Sequence, residues 1–282
     1  MISIVIPAHN EEQVIGRLLE GITQGVEPDE LEIVVVTNGC SDRTADVAGA
    51  FPGVTVVDSP VASKPAALNL GDATVTGFPR MYLDADIEVD AAAVRAVGAA
   101  LERGDADLAA PKLHLEVGGA SWAVRAFYDV WTRLPFVQND LVGGFYGLSE
   151  AARSRFEEFP DTMAEDFYVH ALVPASRRLA VPDHVYVVHP PLTLASLVRI
   201  QTRIQAANRR DRALFAEAAA EISAGHKREL LQLARQPRLV PHVGVYVGVM
   251  GWSKLRARWK NRSKTVGVWD RDTRARAQAG AR

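Results

Sequence analysis

Short apolar runs that stop abruptly at polar clusters set what this chain can fold into. "ISIVIPA", "LEIVVVTNG", "VTVVDS" and "RMYLDAD" each read as a short strand, the first buried on both faces. Between them, "NEEQVIGRLLEGITQG" puts Val14, Leu18 and Ile22 on one helical face, with Asn10 expected as its N-cap. "SDRTADVAGAF" reads as a second helix capped by Ser41 or Asp42, and "SKPAALNLGDA" starts a third. "AAAVRAVGAALERG" and "ADLAAPKLHL" continue as helix and strand. Strands alternating with helices predict βαβ units and an α/β fold with a mostly parallel, Rossmann-like sheet flanked by helices. Ligands of such sheets bind beyond the carboxyl ends of the strands. The polar clusters "PAHNEE", "TNGCSD" and "DADIEVD" sit there.

Beyond about residue 111 the alternation loosens. "WAVRAFYDVW" and "SEAARSRF" read as helical, "LVGGFYGLS" as a glycine-rich turn into a strand, and the last third as helical and basic. The expected blocks are 1–110, a nucleotide-sugar half; 111–215, an acceptor half; and 216–282, a basic helical C-terminal extension whose Arg- and Ala-rich end frays.

The net charge is −2, but it is unevenly spread: from His226 onward 14 Lys and Arg stand against 3 Asp and Glu, a balance of +11 that leaves −13 for the rest. Such asymmetry suggests a tail for an anionic surface. The single cysteine, Cys40, rules out an intrachain disulfide and fits a reducing cytoplasm. "MISIVIPAHN" has no basic leader and does not read as a signal peptide. "LVPHVGVYVGVMGW", with Pro241 and His242 inside it, is 14 residues against the ~20 that span a bilayer, so no transmembrane helix is expected.

Asp84 and Asp86 stand two apart, so an extended backbone points both the same way. Carboxylate oxygens at a strand end suit a hard cation, Mg²⁺ or Mn²⁺, that keeps positions open for substrate phosphates, or else form a solvated turn. Glu88 and Asp90 are read as solvated. Lys64 before Pro65 is either an exposed lysine or a cation facing a diphosphate. Glu165 and Asp166 open "EDFYVHAL" either as acids favoured by the helix dipole or as a general base. His189 in "YVVHPP" is either a plain strand-end residue or a metal ligand.

The ordered series "VIPAHNEE", "VVVTNGCSDRT", "SKPAALNLG", "YLDAD", "GGFYGLS" and "AEDFYVHAL" resembles the family 2 glycosyltransferases, which have the GT-A fold, over roughly residues 1–210. The resemblance implies a metal-dependent, inverting transfer of a sugar from a nucleotide-diphosphate sugar. It aligns Pro7, Ala8, Asn10 and Glu11 with the segment lining the nucleotide, and Asn38 with a base contact. Lys64 and Asn69 match the segment beside the nucleotide. Asp84, with Ala85, falls on the ribose or base side, Asp86 on the metal, and Asp166, beside Glu165, on the catalytic base. Gly144 in "GGFYGLS" and the helical pair Arg199 and Arg203 are assigned to phosphate or acceptor; the arginines also read as a solvated pair.

Thr37 and Asn38 stand where many relatives have two aspartates, which loosens the choice of base, with uracil the default. "RIQTRIQAANRR" lacks the tryptophan of the processive QxxRW motif, so a single addition is expected. The expected partners are a nucleotide sugar and an acceptor glycan, lipid-linked sugar or small molecule, with no nucleic acid. Two other readings are a nucleotidyltransferase, which usually needs a glycine-rich phosphate loop that "PAHNEE" lacks, and a non-catalytic nucleotide-binding module. "GWSKLRARWKNRSK", 251–264, interleaves tryptophan with cations. It suits either an anionic membrane surface, on the inner face of the cell membrane, or packing on the acidic domain.

Overall fold

A computed structural model of the chain describes residues 1–134, 137, 143–162, 164–210 and 226–260. By its internal contacts the chain divides into two compact units. One holds residues 1–115 and the described part of 141–189; the other holds the described parts of 116–140 and 190–275. Of the three consecutive blocks read from sequence, 111–215 runs across this division.

In the first unit, strands β1 (Ile2–Ala8), β2 (Leu31–Asn38), β3 (Val54–Ser59), β4 (Arg80–Leu83), β5 (Ile87–Glu88), β6 (Leu108–Leu115), β7 (Phe145–Leu148) and β8 (Arg178–Val188) form one sheet. Their order is β3-β2-β1-β4-β7-β6-β8-β5. The β3-β2-β1-β4 half is parallel, as expected; β7 runs antiparallel between β4 and β6, and β5 antiparallel to β8.

All seven residues of β1 are buried because helices cover both of its faces. Period-two alternation sends Ile2, Ile4 and Ile6 into one core with Ile15, Leu18, Leu19 and Ile22 of α1 (Ile15–Thr23). Val5, Val34 and Val36 face Ala67 and Leu68 of α3 (Lys64–Thr74). Gly71 permits that approach: a Cβ there would lie 2.4 Å from Val5. Helices α2 (Thr44–Gly49), α4 (Ala91–Glu102), α6 (Glu150–Arg153) and α7 (Glu165–Leu172) complete the unit.

The second unit packs α5 (Trp122–Trp131), α8 (Leu194–Arg210), helical residues 226–233 and α9 (Val240–Lys260). Val124, Phe127 and Val130 of α5 share a core with Leu197, Leu233, Tyr246 and Val249, which is why residues 116–134 group with the C-terminal helices. Among the described residues no helix is long and apolar enough to cross a membrane. The end of the 251–264 stretch and the Arg- and Ala-rich terminus lie outside the described residues.

Candidate active site

The carboxyl ends of β1, β2 and β4 bring the expected clusters together, with some changes of role. Pro7 and Ala8 are buried at the end of β1. Asn10 is not a helix cap: it adopts φ 54° and its Oδ1 accepts the Ser41 N–H at 2.7 Å, tying the loop after β1 to the loop after β2. Helix α1 begins five residues later, at Ile15, behind Val14. The Glu11 N–H donates to Thr44 Oγ1 at 2.8 Å. Asp42 accepts the Thr44 N–H at 3.1 Å, so it serves the start of α2 as expected, although the residue preceding that helix is Arg43.

Asn38 ends β2 and is 1 % exposed, and its Oδ1 has no hydrogen-bond partner among the described residues. Its carbonyl lies 2.5 Å from His9 Nδ1, so that nitrogen carries the ring proton. A buried acceptor without a donor is unfavourable and suits a ligand N–H.

Asp84 follows β4, and its N–H donates to the Gly144 carbonyl at 2.7 Å. A Cβ on Gly144 would lie 3.1 Å from the Cβ of Asp84 and 2.8 Å from Ile87, so the glycine lets β7 approach the acid closely. Lys64, the first residue of α3, reaches Asp84 Oδ1 at 2.5 Å and also bonds Glu165 Oε1. Helix α3 is set for this by Ser63, whose Oγ accepts the Ala66 N–H at 3.3 Å, and by Pro65 in the first turn.

Burial alone would lower the Lys64 pKa; the charges of Asp84 and Glu165 outweigh it and hold the ammonium firmly protonated. Glu165 is 2 % exposed. Burial pushes its pKa up to about 7 against the pull of Lys64, and the charges of Asp166 and Asp84 add to the rise. Asp166 is half-buried, with Oδ1 accepting its neighbour's N–H at 2.7 Å.

Ala85 is buried while Asp86 is exposed. Glu88 and Asp90 are not merely solvated. Glu88 binds Arg17 at 3.0 Å and is hydrogen-bonded to His189 Nε2. Asp90 caps α4, accepting the Ala93 N–H at 2.7 Å. Asn69 is also reassigned: its amide grips the backbone of Phe159 through bonds of 2.7 and 3.1 Å, so it anchors a loop rather than facing a nucleotide. Arg199 and Arg203 lie one turn apart on α8, in the second unit.

The residues fit a divalent cation of a particular kind. Among the described residues no group of three or more His, Cys, Asp or Glu side chains is placed to hold a metal ion. Asp86, an exposed carboxylate, lies two residues beyond Asp84, and Lys64 is the cation bound to Asp84 and Glu165. A Mg²⁺- or Mn²⁺-type ion bound by one or two carboxylates and by substrate phosphates needs no more.

Sequence reasoning missed Tyr146, Arg17 and the buried Asp72–Arg80–Arg153 group. Tyr146 lies within "GGFYGLS", where Gly144 alone is singled out. Arg17 lies on a helix face whose partner, Glu88, is far away in sequence.

The sequence of residues 3–145 matches the model of the glycosyl transferase family 2. The chain is 38 % identical over 94 residues to the probable glycosyltransferase YdaM of Bacillus subtilis, spanning 30 % of this chain and 22 % of that protein. It is 46 % identical over 57 residues to a 4,4'-diaponeurosporenoate glycosyltransferase of Staphylococcus aureus, spanning 20 % of this chain and 14 % of that one. The matches thus span less than a quarter of either relative's length.

Among solved structures, the mannosyltransferase PcManGT of Pyrobaculum calidifontis, in complex with GDP-Man and Mn²⁺, superposes with TM-score 0.57 at 19 % identity, covering 99 % of this chain and 78 % of that one. TarS 1–349 of S. aureus, in complex with UDP-GlcNAc, superposes with TM-score 0.54 at 14 % identity, covering 92 % of each chain. These likenesses carry the GT-A fold. Together with the family match over half its length, they make this chain a member of the glycosyl transferase family 2.

Proposed function

We propose that this chain moves one sugar from a nucleotide-diphosphate sugar, a UDP-sugar by preference, to an acceptor hydroxyl, with inversion, one addition per encounter and a divalent cation bound through Asp86. The observation that carries this is the acidic cluster at the end of a parallel strand, Asp84 with Glu165 and Asp166, bridged by Lys64. The buried, partnerless Oδ1 of Asn38 accepts a base N–H. Lys64 is already charged and turns toward the diphosphate. When bound, Mg²⁺ or Mn²⁺ supplies Lewis-acid neutralisation of the departing charge. His189 offers a nitrogen ligand once it leaves Glu88.

The half-buried Asp166 takes the proton of the acceptor hydroxyl as its oxygen forms a bond to the anomeric carbon. The bond from that carbon to the diphosphate oxygen breaks through an oxocarbenium-like transition state. Asp84 orients the ribose side. Arg199 and Arg203 serve the acceptor or its phosphate; the acceptor is a glycan, a lipid-linked sugar or a small molecule.

The second unit favours an anionic membrane as a further partner. Helix α9 buries Tyr246, Val249, Ser253 and Ala257 and exposes Val240, Val247, Trp252, Leu255 and Trp259. Lys254, Arg256 and Arg258 flank the tryptophan end. Tryptophan beside cations suits a headgroup boundary, and each cation contributes about 1 kcal/mol near an anionic leaflet.

The test of the enzymatic reading is incubation with UDP- and GDP-sugars and Mn²⁺. Release of free nucleoside diphosphate is expected. Release of pyrophosphate would make the chain a nucleotidyltransferase, and binding without turnover would make it a binding module.

A further inference from the structure

Tyr146 lies opposite Tyr82 in the β4–β7 ladder, and the two rings stack at 5.1 Å. Its ring shares an apolar cluster with Val169 of α7. Glu165 precedes Val169 by one helical turn, so the two share a helix face, and both are buried. Asp84 lies two residues beyond Tyr82 and shares its side of the sheet. The Tyr146 hydroxyl is buried and has no hydrogen-bond partner among the described residues. Burial, followed by the charges of Glu165, Tyr82, Asp166 and Asp84, raises its pKa well above the ordinary value, so at neutral pH it is an O–H with a hydrogen to donate. An unpaired buried hydroxyl is unfavourable and needs a reason.

Lys64 supplies one. It holds Glu165 in the free protein, yet the proposed reaction needs it at the diphosphate. Its departure would strand a carboxylate that is 2 % exposed, which proteins avoid. We propose that Tyr146 is a positioning residue for this exchange: when Lys64 turns to the diphosphate, the Tyr146 hydroxyl donates to the Glu165 carboxylate left behind. The inference rests on the reading of Lys64 as the diphosphate's cation. The charged groups acting on Glu165 are Lys64 from α3, Asp84 from the end of β4 and Asp166 from its own helix.

The test compares the full chain with Y146F, by melting temperature and by calorimetric binding of UDP and GDP with Mn²⁺. In the free protein no bond is lost, so the melting temperature holds or rises. Nucleoside diphosphate binding weakens by about tenfold near about pH 8, where protonating Glu165 from its value of about 7 limits the loss. The loss is full near about pH 8 and shrinks near about pH 6, where Glu165 takes a proton instead and needs no donor. Unchanged binding, a pH-independent loss, or a fall in melting temperature with binding intact would each overturn the exchange. Lys64→Met distinguishes failure of the underlying reading: if it binds UDP and GDP as the unaltered chain does, Lys64 does not meet the diphosphate at all.

Discussion

Replacing Lys64 by methionine in the free protein tests the electrostatics of the site without any ligand. The ammonium bridges Asp84 and Glu165, whose side chains are 35 % and 3 % exposed. The Asp84 half resembles a surface pair and contributes about 0–1 kcal/mol. The Glu165 half is buried, and removing one partner of a buried pair costs about 3–5 kcal/mol.

Glu165 has a way out, because burial already lifts its pKa to about 7. Without Lys64 the one cation lowering that value is gone, and the folded-state pKa rises further above the unfolded one. An acid with a raised folded pKa binds more protons when folded, so the variant's stability falls as pH rises through that value. Near about pH 8 the variant should lose about 3 kcal/mol, a fall of roughly 6–12 °C in melting temperature at 2–4 °C per kcal/mol. Near about pH 5.5 the gap should narrow by about 1.4 kcal/mol, the one-unit distance between the parent's value of about 7 and pH 8. Scanning calorimetry across this range, with Lys64→Met/Glu165→Gln as the restoring pair, is the assay. A loss that does not vary with pH, or a single variant as stable as the parent at high pH, would show that Lys64 does not hold a buried Glu165 carboxylate.

Asp72, 7 % exposed, accepts bonds from Tyr82 at 2.5 Å, Arg80 at 2.8 Å and Arg153 at 2.5 Å, so Asp72→Ala should cost about 3–5 kcal/mol in urea unfolding. Burial would raise its pKa, but the Arg153, Tyr82 and Arg80 bonds outweigh that; the stability this lowering contributes is present above the ordinary carboxylate range and lost as pH falls through the folded value. Gly144→Ala places a methyl 2.8 Å from Ile87 and 3.1 Å from Asp84, so it should cost about 1–3 kcal/mol and weaken nucleotide binding, read by melting and by calorimetry. Trp252→Ser, Leu255→Ser and Trp259→Ser together should abolish co-sedimentation of the full chain with phosphatidylglycerol vesicles at low salt; equal pelleting of variant and parent would remove α9 as a membrane contact.

The centre of the parallel half was legible because β1 and most of β2 are buried on both faces and written as runs rich in β-branched residues. The site's location was legible for a related reason: the carboxylates collect where those runs stop. What each side chain does there was less legible, because it depends on partners distant in sequence. Asn69 reads like a nucleotide-side residue until Phe159, ninety positions on, takes its amide. Glu88 reads as solvated until Arg17 and His189 close on it. Asn10 reads as a cap because it precedes acids and an apolar stripe, but the bond from Ser41 draws it to the neighbouring loop and the helix starts later. The antiparallel β7 follows a glycine pair that marks a turn but not a direction.

The measurement that bears most directly on the account is nucleoside diphosphate release by Asp166→Asn, run beside the parent with Mn²⁺ and the nucleotide sugar the parent turns over fastest. The amide keeps the shape of the half-buried side chain but cannot take a proton at neutral pH. Transfer should slow by about 10²-fold or more, the usual value of general-base help, while affinity for the nucleotide sugar and the melting temperature stay as in the parent. Undiminished turnover with weakened nucleotide-sugar binding would contradict the account, because Asp166 would then hold the donor and the proton of the acceptor would have to leave by another route.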